Sequence, residues 1–449
     1  MEFYQEASKQ IPLYRSCDVI VCGGGPAGVA AAIAAARSGA STQLIELRGC
    51  LGGVWTAGLL SWIIDSKNKP GIMQEITARL RGRGACTVDE KKFVDFDQEP
   101  TYRGKDLERD FSYDAEQMKI VLEEMLLEAG VDIRLHTRVV AAATDGENRL
   151  TWAITESKSG REAWKASVFV DATGDGDLAA QAGCGFDMGH PETGKVQPMS
   201  LLCLVTGIHA RDMEPFVTEW RTGLNPPKQR LKEEFNRAGV ELSYAKPSLF
   251  RIYDDLFALF INHEYGVLGT DAAQVTTATL RARSEIHRAV DALRATGGLW
   301  RNLRIIATGE QIGVREARRI HGHYQVSRQD LIDGQKYEDG IARVTFPVDV
   351  HALDPQKDKG YSREGVTALP FDIPLRALIA RDVDGLLMAG RCISGDFIAH
   401  SSYRVSGNAV AMGQAAGITA ALAALTSRLP QDVPWAEVEA RLATISDGQ

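Results

Sequence analysis

The chain has 449 residues, 44% hydrophobic and 24% charged, as expected of a globular protein with a full core and two or three domain-sized units. Lysine and arginine total 51 against 59 acidic residues, and the net charge of −8 argues against a general nucleic-acid surface. The seven cysteines are scattered with no C-x-x-C, which points to a reducing compartment and away from a disulfide framework, a zinc site or an iron–sulfur site.

The leading MEFYQEASKQ lacks the apolar core of a signal peptide. Two apolar stretches, 27–36 and 408–425, are read as helices buried in a sheet domain. The first is short, and the second carries Asn408 and Gln414. The expectation is a cytoplasmic chain with no membrane or nucleic-acid partner and no metal site; a homo-oligomer stays open.

Residues 18–46 organise the rest. Val19-Ile20-Val21 reads as a strand buried on both faces, running into Gly23-Gly24-Gly25-Pro26-Ala27-Gly28, which fits G-x-G-x-x-G. An alanine-rich helix to Ser38 stops at Gly39, and a second strand, Gln43-Leu44-Ile45, ends on Glu46. In a βαβ dinucleotide site Gly23 allows the tight turn, Gly25 admits the pyrophosphate and Gly28 lets helix and strand approach. The helix start offers N–H groups to phosphate, and Glu46 is placed to accept from an adenosine ribose. A lone glycine fingerprint is weak, but here strand, turn, helix, strand and acid fall in order. A Gly-rich turn in another α/β domain is the alternative.

The glycines of 48–58 imply backbone close to a ligand, or a plain loop. Residues 61–110, with Lys91-Lys92 and Arg103-Gly104-Lys105, read as a polar, irregular excursion from the sheet. Helical spacing marks 118–128, and 131–136 with Val139-Val140 reads as the next strand. The alternating stretch 139–170 suggests an antiparallel meander that delivers the chain to Asp171-Ala172-Thr173-Gly174. This second glycine turn is read as another contact to the first dinucleotide rather than as a separate NAD site, because no acid-terminated strand follows it.

From 199 to 300 glycines thin out, with a strand near 199–205, an aromatic patch (Phe250, Tyr253, Phe257, Phe260) and a long helix over 273–296. Four charges in five residues at 315–319 read as a solvated helix face or as the source of an anion-binding arginine. His321 and His323 resemble no metal site. A strand over 385–390, a loop, and a small-residue helix opened by Ser406-Gly407-Asn408 close the chain.

The order of CDVIVCGGGPAGVAAA, LGGVWTAGL, VFVDATGDGDLAA, IGVREARRI, FDIPLRAL and LLMAGRCISGDFIAHSSYRVSGNAVAMGQAAG resembles the FAD-dependent oxidoreductase family of glutathione-reductase-like flavoproteins, related to fumarate and heterodisulfide reductase flavin subunits. These pieces are spread over nearly the whole chain, with 205–270 the least recognisable part. Where the family has Met-Pro after Arg404-Val405, this chain has Ser406-Gly407.

The resemblance implies an α/β fold: a Rossmann-like FAD-binding domain of parallel sheet plus β-meander, discontinuous in sequence, with a second α+β substrate domain. Its parts would be 1–186 (with 60–110 reaching toward the substrate side) and 366–449, and the substrate domain 187–365. Gly23, Gly25, Pro26, Ala27, Gly28, Glu46 and Leu47 would hold the ADP half of FAD. Arg48, Gly52 and Gly53 would approach the flavin side, and Val139 the adenine. Ala172, Thr173 and Gly174 would line the pyrophosphate; Gly390, Arg391 and Asp396 would hold ribityl and phosphate groups, with the helix after Gly407 facing the flavin pyrimidine.

For chemistry, His400 is expected to move a proton while hydride passes between a small organic substrate and flavin N5. Arg404 would hold an anionic or carbonyl oxygen, Tyr403 would add a hydroxyl, and Arg315 would reach a substrate oxygen or sit in a structural ion pair. The expected activity is a dehydrogenase or oxidase, passing electrons to oxygen or a carrier. Alternatives are a flavin monooxygenase, suggested by Gly395-Asp396, and a non-redox flavoprotein such as a lyase or hydratase.

Overall fold

The computed structural model describes residues 2–87, 110–218 and 225–446. The pairs Lys91-Lys92 and Arg103-Gly104-Lys105 lie outside the described residues.

Strand β1 (Leu13–Cys22) enters the core with its last four residues fully buried and leads into helix α1 (Pro26–Arg37). Strand β2 (Thr42–Ile45) returns parallel to β1, with Val21 opposite Leu44. Continuous apolar runs suit strands covered on both faces. Helix α2 (Ile72–Gly82) follows, inside the stretch expected to be irregular. It forms because Ile72, Ile76 and Leu80 recur once per turn and are buried together.

Helix α3 (Ala115–Glu128), capped by the Asp114 carboxylate, leads to β3 (Asp132–Arg134), which pairs parallel with β2. The chain then turns at His136, whose φ is +54°, so Val139-Val140 belongs to a separate strand. Strands β4 (Arg138–Thr144), β5 (Leu150–Ser157) and β6 (Gly160–Asp171) form the antiparallel meander. The twelve-residue β6 joins both parts of the sheet. Its first half pairs antiparallel with β5, and along its length it runs parallel to β1.

A second, antiparallel sheet runs in the order β8-β9-β7-β10, from β7 (Cys203–Thr206), β8 (Ser248–Arg251), β9 (Phe257–Phe260) and β10 (Arg304–Thr308). Helix α4 (Ala272–Ala295) buries Ala278, Ala282, Ile286, Ala289, Val290 and Leu293 in the same core. That core holds buried apolar side chains from Met199 to Ile312, whereas Ile320, Val326, Val344 and Val350 join the core of the first sheet.

Residues 315–319 form no solvated helix. Glu316 and Arg319 are buried as an ion pair, and Arg318 turns to Asp177. The short strand β11 (Val350–His351) carries two buried residues. Strand β12 (Leu386–Met388) returns to the first sheet beside the end of β6. Helix α5 (Phe397–Tyr403) and helix α6 (Ser406–Leu425) close the fold. Helix α6 is long and apolar enough to cross a membrane, but 78% of its apolar window is buried inside the protein. It lies directly on α1: a Cβ at Gly413 would stand 2.0 Å from the Ala27 carbonyl oxygen.

Candidate functional site

The three glycines of the first turn do different work. Gly23 has φ +101°, and a Cβ there would stand 2.4 Å from the Ala172 carbonyl oxygen. A Cβ at Gly28 would stand 1.7 Å from the Gly23 carbonyl oxygen, so this glycine is required by packing. Gly25 differs: its φ is −72° and a Cβ would meet nothing within 4 Å. Its open side is where a ligand can reach backbone. Helix α1 starts there with Pro26 in its first turn, no side-chain cap and no acidic residue, leaving first-turn N–H groups for an anion.

Glu46, only 8% exposed, ties the turn together. Its Oε2 accepts from Gly24 N at 2.6 Å and its Oε1 from Arg48 N at 2.8 Å. Burial raises its pKa, against the pull of those donors. Leu47 is half-exposed, and the Arg48 side chain donates to Gln311 at 2.8 Å, crossing to the segment after β10. Gly52 N donates to the Gly24 carbonyl at 2.7 Å, and a Cβ on Gly53 would sit 3.1 Å from Gly25 Cα. The second glycine-rich loop therefore packs on the first. Val139 is buried on β4.

Asp171, Ala172, Thr173 and Gly174 border the same turn. Ala172 N donates to the Cys22 carbonyl, and Thr173 donates to Asp171 from both N and Oγ1. Burial pushes the Asp171 carboxyl up to about 6 despite those donors. A Cβ on Gly174 would lie 2.8 Å from Arg391 Nη2, which itself donates to Asp175 at 2.8 Å. Arg391 Nη1 is buried with no hydrogen-bond partner. Gly390, φ +89°, lies against Ala27 at the start of α1. An orphaned guanidinium nitrogen beside two glycine turns and an uncapped helix start is a donor set that fits the pyrophosphate of FAD.

Two expected contacts are otherwise engaged. The Asp396 carboxylate caps α5 through Ala399 N at 2.7 Å and also accepts from Arg328 N. Gly407 N donates to the Ile64 carbonyl at 2.9 Å, and a Cβ there would meet Asp65 backbone at 2.2 Å. That contact gives a packing reason for glycine at this position. Helix α6 still begins without a side-chain cap or an acidic residue, which suits negative charge.

Of the expected catalytic residues, His400 is fully buried, and neither ring nitrogen has a hydrogen-bond partner. Burial, then the charges of Arg319, Arg404 and Arg391, hold its pKa well below the usual value, so the ring is neutral. Tyr403 is also buried, its hydroxyl donating to the Ile393 carbonyl at 3.2 Å. Arg404 donates to Gln197 Oε1 at 3.3 Å and to the Asp349 carbonyl at 3.0 Å. Arg315, half-buried, donates through Nη1 to the Pro198 carbonyl at 2.6 Å and to Ser200 Oγ at 2.8 Å. It makes no ion pair with Glu316, whose partner is Arg319.

The structure adds four residues absent from the motifs. Asp349 lies 3.5 Å from Arg404 through Oδ2, and the same oxygen is 3.1 Å from His351 Nε2. His351 Nδ1 is 3.0 Å from His263 Nε2, and His263 Nδ1 is 3.1 Å from the Tyr265 hydroxyl. Burial would raise the Asp349 carboxyl, but His351, Arg404 and Arg315 outweigh it and hold it well below the usual carboxylate range. Burial, then Arg315, brings the His351 imidazole down to about 4. Burial likewise keeps His263 well below its usual value.

An ionised carboxylate can only accept, so His351 Nε2 carries its proton. Its Nδ1 then accepts from His263 Nε2, and His263 Nδ1 faces the Tyr265 hydroxyl, whose single proton is also within reach of the Ser243 carbonyl at 3.1 Å. A signal was present in the sequence: Asp349 and His351 sit two apart, on one face of an extended segment.

No curated protein sequence matches the chain. Among solved structures it is similar to a flavin-dependent brominase, Bmp2, at 13% identity over 97% of this chain and 84% of that one, TM-score 0.47. It is also similar to the myxobacterial chondrochloren halogenase CndH (13%, 95% and 78%, TM-score 0.46). A geranylgeranyl bacteriochlorophyll reductase-like protein from Thermoplasma acidophilum aligns at 12% identity over 96% and 84%, TM-score 0.43. These likenesses are too remote to bear on the reaction. The model of the FAD dependent oxidoreductase family matches residues 18–442, and the chain belongs to that family.

Proposed function

We propose that this FAD-dependent enzyme is a dehydrogenase or oxidase acting on a small organic substrate held beside Arg315, Arg404 and Asp349. FAD, when bound, supplies the two-electron acceptor. Arg315 and Arg404 hold a substrate oxygen and favour the charge that develops on it. Asp349 takes the substrate proton and His351 orients its carboxylate.

The observation that carries this reading is the state of Asp349. Its side chain is 18% exposed, one oxygen is tied to His351, and Oδ1 has no hydrogen-bond partner among the described residues. It is ionised, reachable and connected through two histidines to half-buried Tyr265. His400 offers no accessible nitrogen, so the proton step moves from His400 to Asp349. The electron acceptor is oxygen or a carrier.

The test is an anaerobic absorbance scan of the FAD-loaded protein against a metabolite panel. Bleaching by an organic substrate alone supports the reading, and admitting air then separates oxidase from dehydrogenase. In Asp349→Asn, with FAD content unchanged, the bleaching rate should fall about 100-fold or more. Bleaching only by NAD(P)H points instead to a reductase or monooxygenase.

A further inference from the structure

Around Arg315, Arg404 and Asp349 the charges do not cancel. Arg315 and Arg404 are both cationic, and Asp349 is the only acid bonded to either of them among the described residues. Nearby Glu316 is spent on Arg319 and on the N–H groups of Gly189 and Gln197. Burial holds the His263 and His351 rings neutral. More positive charge stands at the rim: Lys246 Nζ lies 4.0 Å from the centre of the Tyr361 ring and Lys228 Nζ 5.9 Å. The Tyr361 ring is 5.9 Å from that of His351. A partly buried guanidinium without a counter-charge is unfavourable, so this arrangement favours an anionic ligand.

Donors for that anion are in place. Arg315 Nη1 is fixed on Pro198 and Ser200, and its guanidinium lies 5.5 Å over the Phe260 ring. Its Nε and Nη2 have no hydrogen bond among the described residues. A guanidinium held at one corner and placed over a ring keeps its remaining N–H groups for a ligand, and their fork matches the two oxygens of a carboxylate. Tyr244, stacked on Phe260 at 4.7 Å, adds an aromatic wall.

We infer that the substrate of this site is an organic monocarboxylate, its carboxylate received by Arg315 beside Arg404. With the ligand seated, the two arginines face one aspartate and one ligand charge, and Lys228 and Lys246 remain at the rim. The inference rests on the proposed placement of the substrate beside Arg315, Arg404 and Asp349.

The test uses the FAD-loaded protein titrated with sodium benzoate and sodium acetate, with benzamide, acetamide and matched sodium chloride as controls. Two signals are read: the flavin difference spectrum and the thermal midpoint. Both carboxylates should give saturable spectral changes and raise the midpoint by about 1–2 °C at ten times their dissociation constant. Amides and chloride should do neither. Arg315→Met should weaken carboxylate binding about tenfold or more, and Arg315→Lys, which keeps the charge but loses the fork, should fall between.

Equal effects of amides or chloride, no saturable carboxylate effect, or unchanged binding in both variants would overturn the inference. Carboxylate silence in a protein that binds FAD and is bleached by a neutral substrate sinks this inference and leaves the dehydrogenase or oxidase reading standing. A protein that takes up no FAD, yet is stabilised by carboxylates through Arg315, does the reverse.

Discussion

His263 Nε2 lies 3.0 Å from His351 Nδ1, joining two buried imidazoles from different parts of the chain. One follows β9 in the second sheet; the other is in β11, whose segment lies along α5 through Asp349 N on Ser401 Oγ. The pair therefore bridges the two cores, and Asp349 at its inner end sets the direction of the bond from His351 Nε2.

Such a pair makes stability depend on pH with a definite sign. His351 is brought down to about 4 in the fold, against about 6.5 when unfolded, so between those values the unfolded chain binds more protons. Its contribution is full above 6.5 and is lost as the pH falls to 4, amounting to about 3 kcal/mol. Thermal midpoints of wild type and His351→Gln, followed from pH 7 to 4, check this. The wild type should lose more stability over that window, and parallel curves would refute the coupling.

The direction of the chain also predicts kinetics. His263→Gln breaks the path from Asp349 to Tyr265 while leaving Arg315, Arg404 and Asp349 in place. The rate of substrate bleaching should fall about tenfold, less than the loss at Asp349 itself. FAD content should not change, and the solvent deuterium effect should grow. An unchanged rate and isotope effect would confine His263 to packing.

The Glu316–Arg319 pair is structural. Arg319 also donates to the carbonyls of Gly189 and Gly395, so it fastens the loop after β6 to the loop before α5. Arg319→Met strands a buried carboxylate and should cost about 3–5 kcal/mol in denaturant unfolding. A loss below 1 kcal/mol would contradict that role.

The sequence made some parts plain and concealed others for physical reasons. The turn at Gly23–Gly28 and the acid at Glu46 were legible because local geometry demands those residues at those spacings. The meander and its return to the sheet were legible from alternation. Helix α2 was passed over because its polar residues, Gln74, Glu75, Arg79 and Arg81, masked the once-per-turn Ile72, Ile76 and Leu80. The charges at 315–319 misled because charged runs are usually solvated, whereas here the long-range contacts of Glu316 and Arg319 bury them. The chain Asp349–His351–His263–Tyr265 joins positions up to 88 apart, and no local spacing announces such a meeting.

The most direct measurement is FAD uptake by wild type, Gly25→Ala and Gly28→Ala, read from flavin absorbance and the melting of the apo forms. A methyl at Gly25 enters open space in an ordinary backbone conformation, so the apo fold should melt as wild type does while FAD binding is lost. A methyl at Gly28 strikes the Gly23 carbonyl, so both fold and binding should suffer. Wild-type FAD affinity in a well-folded Gly25→Ala protein would contradict the placement of the cofactor in this turn.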